Sequence, residues 1–288
     1  MAKKLKKKIL ITGGSGFLAG RYIDYFSKKN LDIIVSSRKT INSIKKKNIY
    51  YYQLKNNRYL SIFKKFKNID YIIHTAGLDK DECEKNKILA FNINVQETLN
   101  LANLANKYQV KYFIFISSIH VYSSPLKGVL SENITLKNKK LYADLKIKAE
   151  KKLELFSKNK NTKTKFIVLR LSNSYGKPIN VNSNSWKLFI NNICKQAIVN
   201  STININTRGN QQRNFISISE LINITDFLFK KKILNKLSKY QVFNVGYSKN
   251  YSLIEIANII KKRFLKLYKI EIKIITSKKI ENNFNFNL

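Results

Sequence analysis

Tyr142 and Lys146, in the run Tyr142-Ala143-Asp144-Leu145-Lys146, bring a phenol and an ammonium to one face of a helix, a turn apart. A phenol has an ordinary pKa of about 10 and is a poor base near neutrality until a nearby cation lowers it. Lys146 is spaced to be that cation. The spacing alone carries little weight in a chain this rich in tyrosine and lysine, where it recurs at Tyr25/Lys29 and Tyr51/Lys55. The third pair differs because Ser117-Ser118-Ile119-His120-Val121-Tyr122 directly follows the apolar stretch 113–116. That puts Ser118 at the carboxyl edge of a strand, where parallel sheets bind ligands. There Ser118 can hold a substrate hydroxyl while its proton passes to Tyr142 and a nicotinamide takes the hydride. His120 is a second candidate for proton transfer near neutral pH, the alternative being a loop histidine satisfied by backbone. His74, ending another apolar run, reads as structural.

A second stretch also carries chemistry. The apolar run 9–12 ends in Gly13-Gly14-Ser15-Gly16-Phe17-Leu18-Ala19, in which Gly14–Ala19 fits GxGxxA and Gly13, Gly16 and Ala19 fit a shifted GxxGxxA. A strand that delivers a glycine loop to a helix N-terminus offers a phosphate free N–H groups and the positive end of the helix dipole. Gly13, Ser15, Gly16, Phe17 and Leu18 are therefore the candidate dinucleotide contacts, with Ala19 keeping the helix close to the strand. Sites for NAD usually carry a carboxylate at the end of the second strand, to hold the ribose hydroxyls. Here that place reads Ser36-Ser37-Arg38-Lys39. Ser37 and Arg38 suit a 2′-phosphate through charge-assisted bonds, which favours NADP over NAD; the alternative is a solvated Arg38.

These residues need a scaffold that brings strand ends together. Short runs rich in β-branched and aromatic residues predict strands at 8–12, 32–36, 49–53, 71–74, 112–117 and 166–171, and helical spacing predicts helices at 16–28, 89–108 and 140–157. Alternation of this kind predicts an α/β fold, a doubly wound parallel sheet with crossover helices. Beyond it the pattern loosens into Asn/Ser-rich loops, with helices expected at 186–199, 219–231 and 252–267. A strand at 240–245 is expected to return to the main sheet. The end, 280–288, is polar and gives no stop signal.

The 288 residues, 44% of them hydrophobic, suffice for a sizeable core. Cys83 and Cys194 lie far apart without CxxC spacing, so neither a disulfide framework nor a metal site is indicated, and a reducing cytoplasm is expected. The basic lead-in 1–8 precedes an apolar run too short for a signal peptide. No run approaches the roughly 18 apolar residues of a membrane span. The net charge of +38 raises the question of nucleic acid, yet all but seven of the 55 basic residues are lysines, spread over the whole chain. That distribution is a compositional bias, so no specific nucleic-acid partner is expected, although anionic substrates would be attracted.

Taken in order, Thr12–Ala19, Asp70-Tyr71-Ile72-Ile73-His74-Thr75-Ala76-Gly77, Asn94-Val95-Gln96-Glu97-Thr98, Ser117–Tyr122, Tyr142–Lys146, Arg170-Leu171-Ser172-Asn173-Ser174-Tyr175-Gly176, Arg213-Asn214-Phe215-Ile216 and Phe243-Asn244-Val245-Gly246 form a series that spans nearly the whole chain. It resembles the extended short-chain dehydrogenase/reductase family, the NAD(P)-dependent epimerases and dehydratases of nucleotide sugars. The resemblance implies a Rossmann-type domain over 1–172 and 213–246, and a smaller, mixed substrate lobe over 173–212 and 247–288. It implies that Tyr142 is the base, Lys146 the ribose-binding lysine and Ser118 the substrate-holding hydroxyl. Ala76 and Gly77 would line the cofactor channel, Asn173 would begin the substrate region, and Arg213 would meet a nucleotide diphosphate unless it is an ordinary surface arginine.

Departures from the pattern narrow the reading. Ala19 stands in place of the last glycine, Gln53-Leu54 in place of an Asp-Leu pair, and Asn214 in place of an aspartate. Ile119-His120 stands where dehydratases carry Asp-Glu, which disfavours dehydration. The expectation is a cytoplasmic, homodimeric epimerase or reductase of a nucleotide-linked sugar in surface-polysaccharide synthesis. The chain ends soon after 246 for this family, so the expectation is either a reduced substrate lobe or a truncated end. A different class of function, an idle Rossmann-fold protein that holds RNA or another polyanion through its lysines, is opposed by the intact Ser118, Tyr142 and Lys146 set.

Overall fold

The computed structural model describes residues 6–41, 44–55, 59–279 and 285–288. The first five residues of the basic lead-in and positions 280–284 of the polar end lie outside them.

Seven strands form the central sheet: β1 (Lys7–Thr12), β2 (Leu31–Ser37), β3 (Ile49–Gln53), β4 (Tyr71–His74), β5 (Tyr112–Ser118), β6 (Lys165–Leu171) and β7 (Tyr240–Val245). Their order is β7-β6-β5-β4-β1-β2-β3, and every pairing is parallel. The strands expected from the sequence are all present, and β7 joins the sheet beside β6. The chain winds outward from β1 to β3 and then returns to the other side of β1. β1 and β4 therefore flank the point where the winding reverses, the place where such sheets open a crevice for ligands.

Both faces of the sheet are covered, which is why the strands read as nearly continuous apolar runs. Ile9, Ile11, Ile33 and Val35 pack against α1 (Phe17–Phe26), and Leu10, Ile72, Phe113 and Phe115 pack against α2 (Glu97–Lys107) and α3 (Leu141–Lys158). Alternate side chains of each strand thus feed two separate cores. Each such side chain withdrawn from water contributes about 1.5–3 kcal/mol.

Further long helices are α4 (Phe189–Asn200), α5 (Ile218–Leu228) and α6 (Leu253–Tyr268). The helix expected over 89–108 is instead broken into Lys87–Phe91, a π-type turn at Asn92–Gln96, and α2. The widened turn directs Asn94 to the backbone of Leu78, and such bulges recur where a side chain is needed off the helical register. The helix expected over 219–231 stops at Leu228, and a separate short helix follows at Lys231–Lys236.

Several short strands escape the sequence reading. Asn250–Ser252, Gln212–Ser217 and Asn173–Tyr175 make a three-stranded sheet, Lys273–Thr276 pairs with Thr202–Ile205, and Asn285–Asn287 pairs with Lys127–Val129. Most of these are only three or four residues long, too short to display a period. Helices α4 and α6 pack with these strands around Ile193, Ile203, Phe215, Leu253 and Ala257. Among the described residues no helix is long and apolar enough to cross a membrane.

Candidate active site

The turn after β1 is built for close approach. Gly13 sits at φ +71°, and a Cβ there would fall 2.8 Å from the Cα of Ala76 in the turn after β4. Only glycine meets both demands. Gly16 N–H donates to the Gly13 carbonyl at 2.8 Å, and Gly14 N–H to the Ser36 carbonyl at 2.9 Å, which holds the loop against the end of β2. The N-cap of α1 is Gly16, with no side-chain cap and no carboxylate in the first turn. Its leading N–H groups are left for an anion, so the loop fits a dinucleotide pyrophosphate. Phe17 and Leu18 begin the helix, half-buried on the core. The Ser15 carbonyl accepts from Asn180 Nδ2 at 3.0 Å.

At the end of β2, Ser37 is buried and its Oγ accepts from Lys39 N–H at 3.1 Å, while Arg38 is exposed. On the other wall, Ala76 N–H donates to Thr12 Oγ1 at 3.1 Å and Leu78 N–H to Asn94 Oδ1 at 2.7 Å. Gly77 lies between these anchors. A Cβ there would meet Asn94 Oδ1 at 3.1 Å and Lys146 Nζ at 3.7 Å, so the ammonium reaches the rim of the cleft.

β5 and α3 carry the candidate residues Ser118, Tyr142 and Lys146. Ser118 ends β5, largely buried, and its Oγ accepts from His120 N–H at 3.2 Å. Asn138 ties the loop to the start of α3: its Nδ2 donates to the carbonyls of His120 (2.6 Å) and Ser123 (3.2 Å), and its Oδ1 accepts from Lys140 N–H at 3.0 Å. Tyr142 lies in the first turn of α3, half-buried. Lys146 is buried one turn on; its Nζ donates to the Ile116 carbonyl at 2.9 Å and stands 6.0 Å from the centroid of the Tyr142 ring. The helix thus presents phenol and ammonium on one face.

The electrostatics differ from the sequence expectation in two respects. Burial pushes the Tyr142 phenol up to about 12, with the nearby Cys83 and Asp79 adding to the rise, so Lys146 does not lower it in this arrangement. The Lys146 side chain is committed to the Ile116 carbonyl, and burial pulls its own pKa down to about 8 against the opposing pull of Glu150 and Cys83. His120 is not poised near neutrality either. Burial, then Arg213, Lys140 and Lys80, hold it down to about 4, and the ring is neutral at physiological pH.

Asn173 and Arg213 fall on neighbouring strands. Asn173 Nδ2 donates to the Asn214 carbonyl at 2.8 Å, and the Arg213 guanidinium donates to Gln211 Oε1 at 2.7 and 3.1 Å and lies 5.8 Å from the Phe189 ring centroid. Arg213 also acts electrostatically on His120.

Spacing in the sequence does not mark Thr12, Asn94, Asn138, Glu150 or Asn180 as site residues. Glu150 carries a signal, a carboxylate four residues after Lys146 among the apolar positions Ile147, Ala149 and Leu153. It is paired within the core to Arg170, and Asn180 acts across 165 residues with no local signal at all.

Residues 9–246 match the NAD dependent epimerase/dehydratase family. The chain is 26% identical over 273 residues to UDP-glucose 4-epimerase of Lactobacillus helveticus, covering 88% of this chain and 81% of that one. It is 28% identical over 279 residues to dTDP-D-glucose 4,6-dehydratase of Dictyostelium discoideum, covering 87% of this chain and 61% of that one. The UDP-glucuronic acid 4-epimerase from Bacillus cereus, solved in complex with UDP-glucuronic acid and NAD, superposes with a TM-score of 0.77 at 19% identity, over 97% of this chain and 89% of its own. The family match takes in the glycine loop, the β4 turn, Ser118, Tyr142, Lys146 and Arg213 together, and the chain belongs to the NAD dependent epimerase/dehydratase family.

Proposed function

We propose that this chain transfers hydride to or from a sugar carried on a nucleotide, as an epimerase or a reductase. The observation that carries the reading is the position of Lys146 Nζ, which faces Gly77 on the cleft wall and Tyr142 on its own helix. A cofactor held between the Gly13 and Ala76 turns would run toward that point. The parts of the chain that build the main sheet, 1–172 and 213–246, would hold the dinucleotide, and 173–212 with 247–288 the substrate.

Ser118 holds the reacting sugar hydroxyl, Tyr142 Oη takes its proton, and Lys146 holds the ribose and the charge balance around the phenolate. When bound, the oxidised dinucleotide supplies a hydride acceptor and a positive charge beside the phenol. Asn173 and Arg213 face the nucleotide, where Arg213, Lys140 and Lys80 make the His120 side of the cleft positive. His120, being neutral, orients the sugar through hydrogen bonds. The names of the relatives, a UDP-glucose epimerase and a dTDP-glucose dehydratase, support a nucleotide sugar, and Ile119-His120 after Ser118 favours epimerisation or reduction over dehydration. Exposed Arg38, with Ser37 and no carboxylate at the end of β2, favours NADP. The same reading makes the protein a cytoplasmic homodimer.

The test runs UDP- and dTDP-sugars deuterated at the carbon to be oxidised with NADP+ or NAD+, and the corresponding keto-sugars with deuterium-labelled NADPH or NADH. An epimerised sugar that keeps its label without net cofactor consumption identifies an epimerase, and stoichiometric consumption of the reduced cofactor with label in the product a reductase. No turnover with any sugar, together with polynucleotide binding that survives moderate salt, overturns the reading in favour of polyanion binding. Tighter binding of NADH than of NADPH overturns the cofactor preference.

A further inference from the structure

We propose that His74 is a positioning residue for the dinucleotide cleft: its ring aims the Thr12 hydroxyl so that Thr12 holds the Ala76 N–H, and this sets the separation of the two turns that form the cleft walls. The proposal rests on the dinucleotide reading given above.

His74 ends β4, fully enclosed, between β1 and α2. Its Nδ1 lies 2.8 Å from Thr12 Oγ1 and its Nε2 lies 3.0 Å from Thr98 Oγ1. The hydrogen positions follow from the neighbours. Thr98 spends its own hydroxyl proton on the Asn94 carbonyl at 3.0 Å, so its oxygen faces His74 as an acceptor. Nε2 therefore carries the ring proton and donates to Thr98, which leaves Nδ1 as a lone pair. Thr12 must then donate its hydroxyl proton to Nδ1, and the remaining lone pairs of Thr12 Oγ1 accept from Ala76 N–H at 3.1 Å. One chain of bonds runs from the π-type turn through His74 and Thr12 to the backbone of the cleft wall. Burial holds the imidazole neutral, down to about 3, so this single tautomer persists across the physiological range.

The geometry at the far end has no slack. Gly13, the residue after Thr12, stands so close to Ala76 that a Cβ would meet its Cα at 2.8 Å and its N at 2.9 Å. Thr75 Oγ1 adds a bond to the Thr12 carbonyl at 2.6 Å. If Thr12 Oγ1 turned its proton toward Ala76, two donors would face each other, and the turn after β4 would shift against Gly13 on one side and Lys146 on the other. A histidine that merely filled space would impose no such direction.

Two substitutions divide the ring. His74→Asn places an amide oxygen where Nδ1 was and keeps the acceptor for Thr12, whereas His74→Gln places an amide nitrogen where Nε2 was and keeps only the donor to Thr98. Ala76 amide exchange, NADPH and NADH dissociation constants, and Tm are measured on the full chain. Both variants lose Tm. The proposal requires His74→Gln to speed Ala76 exchange and weaken the dinucleotide about tenfold, while His74→Asn stays within about threefold of wild type in both. Thr12→Val, which deletes the hydroxyl between them, reproduces His74→Gln. Equal effects of Asn and Gln on Ala76 exchange, tracking the loss of Tm, overturn the proposal and leave His74 as packing. Exchange that follows the required order in a protein whose wild type binds neither NADPH nor NADH supports the positioning of the turn and overturns the dinucleotide reading.

Discussion

Glu150→Gln tests the link between the core and the site. Glu150 and Arg170 form a buried ion pair, their side chains 2% and 6% exposed. Arg170 Nη2 and Nε donate to Glu150 Oε2 at 2.8 and 3.1 Å, Nη1 donates to Tyr122 Oη at 2.8 Å, and Ser117 Oγ donates to Glu150 Oε1. Glutamine keeps one acceptor but removes the countercharge, stranding the guanidinium. Breaking such a pair costs about 3–5 kcal/mol, and the retained acceptor puts the expectation at the low end, about 3 kcal/mol. Removing both charges in Glu150→Gln/Arg170→Met should cost less than Glu150→Gln alone. The carboxylate also lies one helical turn from Lys146 and raises its pKa against burial. Without it the lysine should titrate below about 8 and lose its charge closer to neutrality. Urea unfolding at pH 7 reads the first effect, and an NMR titration of the Lys146 side chain reads the second. A stability loss under about 1 kcal/mol, a double variant less stable than the single, or an unmoved Lys146 titration would refute the reasoning.

Tyr142→Phe should cut turnover by about 10²- to 10⁴-fold with Tm and dinucleotide affinity nearly unchanged; a variant keeping a tenth of the activity would remove Tyr142 from proton transfer. Gly13→Ala forces a side chain into φ +71° and against Ala76, so about 1–3 kcal/mol of stability should be lost along with dinucleotide affinity, as thermal melts with and without NADPH would register. His74 and His120 are depressed to about 3 and about 4, so between pH 6.5 and those values the unfolded chain binds more protons than the folded one. Stability should therefore fall as pH drops through that window, by up to about 1.4 kcal/mol per unit for each histidine. Urea midpoints at pH 7, 5 and 4 check the slope, which His120→Asn should flatten; an unchanged slope would contradict the assignment.

What could be read from the sequence, and what could not, divides along the reach of the interactions. The β5 stretch is apolar throughout because helices cover both of its faces, and that continuity marks it as a parallel strand without any partner being known. The glycine loop, Ser118 and the Tyr142/Lys146 pair are also local statements, each contained in a few residues. The pairing of Lys127–Val129 with Asn285–Asn287 is decided by a partner more than 150 residues away, and neither segment carries a period of its own. Protonation is the least local property of all. Spacing places the Lys146 ammonium on the Tyr142 face, but the Ile116 carbonyl, two residues before Ser118, decides where the ammonium points, and burial then leaves the phenol at about 12. On the proposed function, the lysine must find ribose hydroxyls at the rim by Gly77 before its charge serves the phenol. Basicity at Tyr142 is then a property of the loaded cleft, which protects the empty enzyme from carrying a reactive phenolate.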